Sequence, residues 1–185
     1  MQDYRININY AKALFLLAAE TGNQEAVAKD IRLVREVCKE NHTLAVVFSN
    51  PEIKGAQKAA VLTELFVDRV CRETMAFLLF VARKKRSVNT IGICDSYLDL
   101  YRESRGIVLT HLTTAEEVDD NVKAAVAKTV ADHTHKEVEM VTRTDASILG
   151  GFAMEFDNMM YDARVSSRLA QLRHAFGTNI YESKL

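Results

Sequence analysis

The feature that most constrains this chain is a change of hydrophobic period at Ser104-Arg105-Gly106. Before it, apolar residues return every three or four positions, which lays one stripe along an α-helix. After it, stretches of strict alternation enter, the spacing of a strand with one buried face. A single bundle of helices does not accommodate both textures. The pattern therefore predicts a mainly α chain, with a helical N-terminal domain over residues 1–105 and a small α/β C-terminal domain over residues 106–185.

The helical part divides at its breaks. After an alternating lead-in (Arg5, Ile6, Asn7, Ile8), Tyr10, Leu14 and Leu17 share a stripe over residues 10–20, with Ala11, Phe15 and Ala18 beside it. Gly22 ends that helix. Val27, Ile31, Val34 and Cys38 then step by four, three and four through a charged background. A short apolar piece at 44–48 runs into Ser49-Asn50-Pro51, where the lone proline biases Asn50 out of the helical region. Helices are expected over 54–70, 73–85 and 87–103, the last capped by Ser87 and marked by Ile91, Cys94, Leu98 and Tyr101. The middle one is apolar nearly all round (Met75, Phe77, Leu78, Leu79, Phe80, Val81), so it is either central or an interface.

The second part reads strand (107–113), helix (114–131, with Val118, Val122, Ala125 and Val126) and strand (138–144). Asp145-Ala146-Ser147 is turn-like, Gly150-Gly151 breaks the chain, 152–156 alternates, and Val165, Leu169, Leu172 and Phe176 mark a closing helix.

Several kinds of chemistry find no support. Lys and Arg number 24 against 25 Asp and Glu, so no net charge draws the chain to nucleic acid or anionic lipid. No stretch approaches the ~20 apolar residues of a membrane span, and Met1 to Tyr10 has no basic region followed by an apolar run, so a soluble, unexported protein is expected. Cys38, Cys71 and Cys94 are odd in number, lack C-x-x-C spacing and lie in apolar helical patterns, which reads as buried free thiols in a reducing compartment. Gly150-Gly151 is not followed by Lys-Ser or Lys-Thr entering a helix, so it reads as a tight turn rather than a phosphate cradle.

Two clusters carry alternative readings. His133 and His135, one residue apart, would point to one side of a strand as metal ligands do, with Asp132 or Glu137 as the further donor. In so polar a stretch they read as exposed loop histidines; the rival is a metal-dependent hydrolase. Arg83-Lys84-Lys85-Arg86 ends a helix, where cations are favoured in any case. The rival there is a nucleic-acid-binding helical module, weakened by the absence of interleaved aromatics. No Gly-x-Ser-x-Gly elbow occurs, and Glu116-Glu117 with Asp119-Asp120 complement a helix start.

Taken in order, several landmarks resemble the ATP synthase delta subunit family, which includes the oligomycin-sensitivity-conferring protein. They are Tyr10-Ala11-Lys12-Ala13-Leu14-Phe15; Asn50-Pro51-Glu52-Ile53 with Lys58 and Leu65-Phe66; and Phe77-Leu78 leading to Arg86 and Tyr97. The most specific is C-terminal: Glu137-Val138-Glu139, Asp145 through Gly151, then Asp162, Val165, Arg168, Leu169 and Leu172. The chain departs from the family at Ile8-Asn9, where Arg-Pro is usual, and at Asp162-Ala163-Arg164, where Asp-Gly-Ser is usual.

The resemblance implies a six-helix N-terminal bundle, a small α/β C-terminal domain, and a non-catalytic stator subunit of an F-type ATP synthase that needs no cofactor or metal. It implies that Tyr10, Ala11, Leu14, Leu17, Phe77 and Val81 line a groove for N-terminal helices of the head's alpha subunits. Gly150, Gly151, Asp162, Val165 and Leu169 are assigned to a C-terminal domain that holds the peripheral stalk b subunits. The expected location is the cytoplasmic face of a bacterial plasma membrane, reached only through the complex.

Overall fold

Helix α2 (Gln24–Glu40) shows how the first 105 residues fold. Val27, Ala28, Ile31, Val34 and Cys38 are all buried on one side, while Glu25 and Lys29 pair at 2.9 Å on the other. In the computed structural model, which describes residues 2–50, 52–146, 148–157 and 159–177, the chain divides into one compact unit through Arg105 and another from Gly106. Among the described residues there are eight α-helices and four strands, so the protein is mainly helical with a small mixed sheet in its C-terminal part.

Helix α1 (Gln2–Glu20) begins well before residue 10 and absorbs the lead-in that alternates in sequence. The reason is Asn7. Its Oδ1 accepts a hydrogen bond of 3.0 Å from Asn89 Nδ2, and it lies so close over Gly92 that a Cβ there would fall 2.2 Å from the amide. Ala11, Leu14 and Ala18 continue the buried side. Helix α3 (His42–Ser49) hands over at Asn50, whose Oδ1 accepts the Glu52 N–H at 2.9 Å; Pro51, the expected breaker, lies outside the described residues. Lys58 of α4 (Gly55–Phe66) is buried and donates to the Phe48 carbonyl at 2.7 Å, tying α4 to the C-terminal end of α3; burial lowers its pKa.

Helix α4 stops at Phe66, short of the expected 70, because turns at Arg69 and Val70 fold back onto the Phe66 carbonyl. Helix α5 (Arg72–Arg83) starts where Asp30 Oδ2 accepts the Cys71 N–H at 2.7 Å. Ser87 does not cap α6 (Thr90–Arg105): a 3-10 turn at Ser87–Asn89 comes first, and the Ser87 carbonyl takes the Thr90 hydroxyl at 2.7 Å. Tyr97, Phe66, Leu14, Ile31 and Leu78 are fully buried at the centre of this unit.

In the second unit, β1 (Ile107–Thr114) pairs in parallel with β2 (Glu137–Thr144) through the crossover helix α7 (Asp120–Thr134). The helix starts at Asp120, not 114, because β1 keeps pairing to its end, Thr114 opposite Thr144 and Phe152; Val118 therefore lies in the connection. Strand β3 (Phe152–Phe156) is antiparallel to β1, and β4 (Met159–Asp162), which the sequence did not announce, is antiparallel to β3. The order is β2-β1-β3-β4. Val108, Leu112, Val130, Met154 and Phe156 form the core between this sheet and α7, and α8 (Val165–Gly177) closes the described chain. Ser147, part of the expected turn, lies outside the described residues.

Candidate partner-binding surfaces

Helices α1 and α5 run antiparallel along the first unit. Asn7 reaches Asn89 just beyond the end of α5, Asn23 Nδ2 donates to Glu73 Oε1 at 3.0 Å at its start, and the Tyr10 and Phe80 rings meet midway at 6.1 Å between centroids. The six residues assigned to a groove divide across this seam. Ala11, Leu14 and Val81 are buried and form its floor. Tyr10 and Phe77 are half-buried and Leu17 is 41% exposed. Phe80, 47% exposed, belongs with them; sequence reasoning placed it in the all-round apolar helix without singling it out. The structure thus offers an apolar strip over a filled core.

The second unit presents a different arrangement. Gly150 and Gly151 are architectural. The Gly150 carbonyl accepts the Val165 N–H at 3.0 Å, and Gly151, at φ +83°, sits where a Cβ would be 2.3 Å from the Ala163 carbonyl oxygen. Together with the Ala163 N–H bonded to the Phe152 carbonyl at 2.9 Å, they fix the start of α8 against the start of β3. Asp162 acts at the same place. Its carboxylate takes the Arg164 side chain (2.9 and 2.6 Å), the Arg164 N–H (2.9 Å) and the Ser167 hydroxyl (2.7 Å), and these bonds hold its pKa well below the usual carboxylate range. What is so carefully placed is the apolar stripe of α8: Val165, Leu169, Leu172 and Phe176 are all exposed.

A further apolar hollow of about 600 Å³ lies between α7 and the β3–β4 hairpin, walled by Val122, Val126, Phe152, Met159 and Tyr161. It was missed because β4 was missed, although the run Met159-Met160-Tyr161 was a visible signal.

The remaining candidates go elsewhere. His133 lies in the last turn of α7 on the wall of that hollow, whereas His135 follows the helix in a left-handed conformation at φ 55°, so the two do not share a strand face. Among the described residues no group of three or more His, Cys, Asp or Glu side chains converges as metal ligands would. Burial pushes the Cys38 thiol up to about 11 and raises Cys94 further still, which leaves both without thiolate character. Glu116 and Glu117 line a cavity beside Gly150-Gly151, an acidic setting that repels phosphate. No described helix is long and apolar enough to cross a membrane.

The candidate residues thus resolve, among the described residues, into exposed apolar faces, one on each unit. The family described as ATP synthase delta (OSCP) subunit matches residues 6–176, and the chain belongs to that family. It is 32% identical over 176 residues to the ATP synthase subunit delta of Cytophaga hutchinsonii, covering 95% of this chain and 96% of that one. Against the subunit delta of Salinibacter ruber it is 33% identical, covering 93% and 90%. A chain of the Toxoplasma gondii mitochondrial ATP synthase hexamer shares the fold, with a TM-score of 0.75 over 92% of this chain and 96% of that one at 19% identity. The protein is a structural, not a catalytic, subunit.

Proposed function

We propose that this subunit closes the stationary half of an F-type ATP synthase. Its first unit holds N-terminal helical segments of the alpha subunits of the catalytic head, and its second unit holds the b subunits of the peripheral stalk. Proton flow turns a rotor inside the head. Unless the head is anchored against that torque it turns too, and rotation no longer drives ATP synthesis. The complex lies on the cytoplasmic face of a bacterial plasma membrane, and this chain reaches the membrane only through it.

The observation that carries the reading is that each unit leaves an apolar surface open over an independent core: Tyr10, Leu17, Phe77 and Phe80 on the first, the α8 stripe on the second. Such strips suit amphipathic helices, which bind by apolar anchors and dissociate slowly. The assignment of each unit to its partner draws on the family membership.

The test separates chemistry from coupling. Deleting residues 145–185 removes β3, β4 and α8 and leaves the first unit intact. In reconstituted vesicles the head should go on hydrolysing ATP, its active sites being elsewhere, while ATP-driven proton pumping collapses. Retained pumping with the truncated chain rejects the stalk assignment.

A further inference from the structure

The basic run that ends α5 is held in place by the backbone, and the fold tolerates strain to keep it. The Arg86 N–H bonds to the Val81 carbonyl and the Lys85 N–H to the Ala82 carbonyl, both at 3.1 Å, with Lys85 left-handed at φ 58°. The same turn ends α1. There the Asn23 N–H bonds to the Ala18 carbonyl at 3.0 Å and the Gly22 N–H to the Ala19 carbonyl at 3.3 Å, and the left-handed position at φ 70° is filled by Gly22. Glycine is the residue that position favours, because a Cβ crowds the backbone there. At the end of α5 the chain instead keeps a long cationic side chain.

Arg83, Lys84, Lys85 and Arg86 are all exposed, and among the described residues none of them forms an ion pair. Lys84 Nζ lies 5.6 Å from the centroid of the Phe80 ring, so the cations adjoin the exposed apolar strip. Because α1 and α5 are antiparallel, the seam has distinct ends. The cations sit beside the N-terminal half of α1, whereas Glu73, and Glu20 in the last turn of α1, stand at the other.

We propose that this seam accepts its helix in one direction only. The guest's C-terminal end, carrying carboxylates in its last turns, lies over Arg83–Arg86, and its N-terminal end lies toward Glu73. This rests on the reading above that the first unit docks a helix. The direction follows from electrostatics: a helix C-terminus is the negative end of its dipole, and acidic residues there disfavour the free helix but find cations in this seam. An amphipathic helix with the opposite charge order would bring like charges together at both ends.

The test uses the full chain and four peptides. One is the N-terminal segment of the cognate alpha subunit. The other three share one apolar stripe and carry glutamates in the last two turns, glutamates in the first two turns, or glutamines in both. The peptide with C-terminal glutamates should bind about five- to tenfold more tightly than its N-terminal isomer at low salt, a gap that closes as salt rises. Lys85→Gly should raise the melting temperature of the first unit by relieving strain, yet weaken the C-terminal-glutamate peptide about two- to fivefold and leave the glutamine peptide unchanged.

Equal affinity for the two glutamate isomers overturns the proposal, as does a Lys85→Gly chain that binds both peptides as before. So does tight binding of anionic lipid vesicles through the same cations when no peptide binds. If the cognate segment binds with no dependence on salt or on Lys85, helix docking stands and its polarity falls. If the cognate segment itself fails to bind, the docking reading falls and takes this inference with it.

Discussion

The two units solve the burial problem to different degrees. In the first, every helix turns an apolar stripe onto a shared centre, and Tyr97, Phe66, Leu14, Ile31, Leu78 and Ile93 lose essentially all contact with water. In the second, the apolar side chains buried to that degree among the described residues are Leu112 and Val130, and the four apolar residues that mark α8 are exposed. Exposed apolar residues scattered singly need no explanation, but a whole stripe along one helix does. Leu169 and Leu172 are 54% and 52% exposed, so covering them in a partner would contribute roughly half the ~1.5–3 kcal/mol of a full leucine burial each. The difference shows that the first unit spends most of its apolar residues on its own centre, whereas the second leaves a whole helical stripe outside its core.

The sharpest way to break that comparison is to put a charge at one position of each stripe. Leu14→Asp buries a carboxylate at a site 1% exposed, combining the loss of a leucine anchor with an unpaired charge. It should destabilise the first unit by at least ~4 kcal/mol and abolish its cooperative thermal transition, followed by circular dichroism. Leu172→Asp, at a position 52% exposed, should leave the stability of the isolated chain within ~0.5 kcal/mol. A second unit that melts in the Leu172→Asp chain would show that α8 belongs to its own core, and the contrast drawn here would be wrong.

A smaller effect tests the core of the second unit from inside. Thr110 on β1 is fully buried, and its Oγ1 has no hydrogen-bond partner among the described residues. An unpaired buried hydroxyl costs about 1–3 kcal/mol, so Thr110→Val, which keeps the shape and removes the polar atom, should stabilise this unit by ~1 kcal/mol. Denaturant unfolding gives the number directly, and a destabilised variant would show that the hydroxyl is satisfied in solution.

Legibility in the sequence followed the range of the interactions. The period of α2 gave Val27, Ile31, Val34 and Cys38 as the buried side, because within one helix burial and spacing are the same fact. The start of α1 was misread, since Arg5 to Ile8 alternates locally and only the long-range partners Asn89 and Gly92 reveal it as helix. β4 is four residues long and amphiphilic on neither face, so its strand character comes from pairing with β3. At the candidate surfaces, periodicity placed Leu14 and Leu17 on one stripe. It had no means of telling that the first is floor and the second is surface, because that depends on which helix packs alongside.

The last and smallest expected effect concerns how the second unit presents α8. Asp162 is tied by the Arg164 side chain, the Arg164 N–H and the Ser167 hydroxyl, all of which favour its charged form and depress its pKa when folded. A carboxyl group whose folded pKa is depressed stabilises its surroundings above the unfolded pKa, and that contribution is lost as the pH falls toward the folded value. The start of α8 should therefore be unchanged from neutral pH down to about pH 4, the ordinary aspartate range, and loosen below it. Because the group lies at the surface, solvent screens the effect and global stability should barely move. The place to look is local: backbone amide shifts of residues 164–168 in a pH series, with Asp162→Asn as control. The asparagine chain should lack the acid-dependent step and show the loosened shifts already at neutral pH. If instead both chains lose order at α8 together as the pH falls, the helix start is held by the Gly150 and Gly151 contacts alone, and the Asp162 cluster merely decorates it.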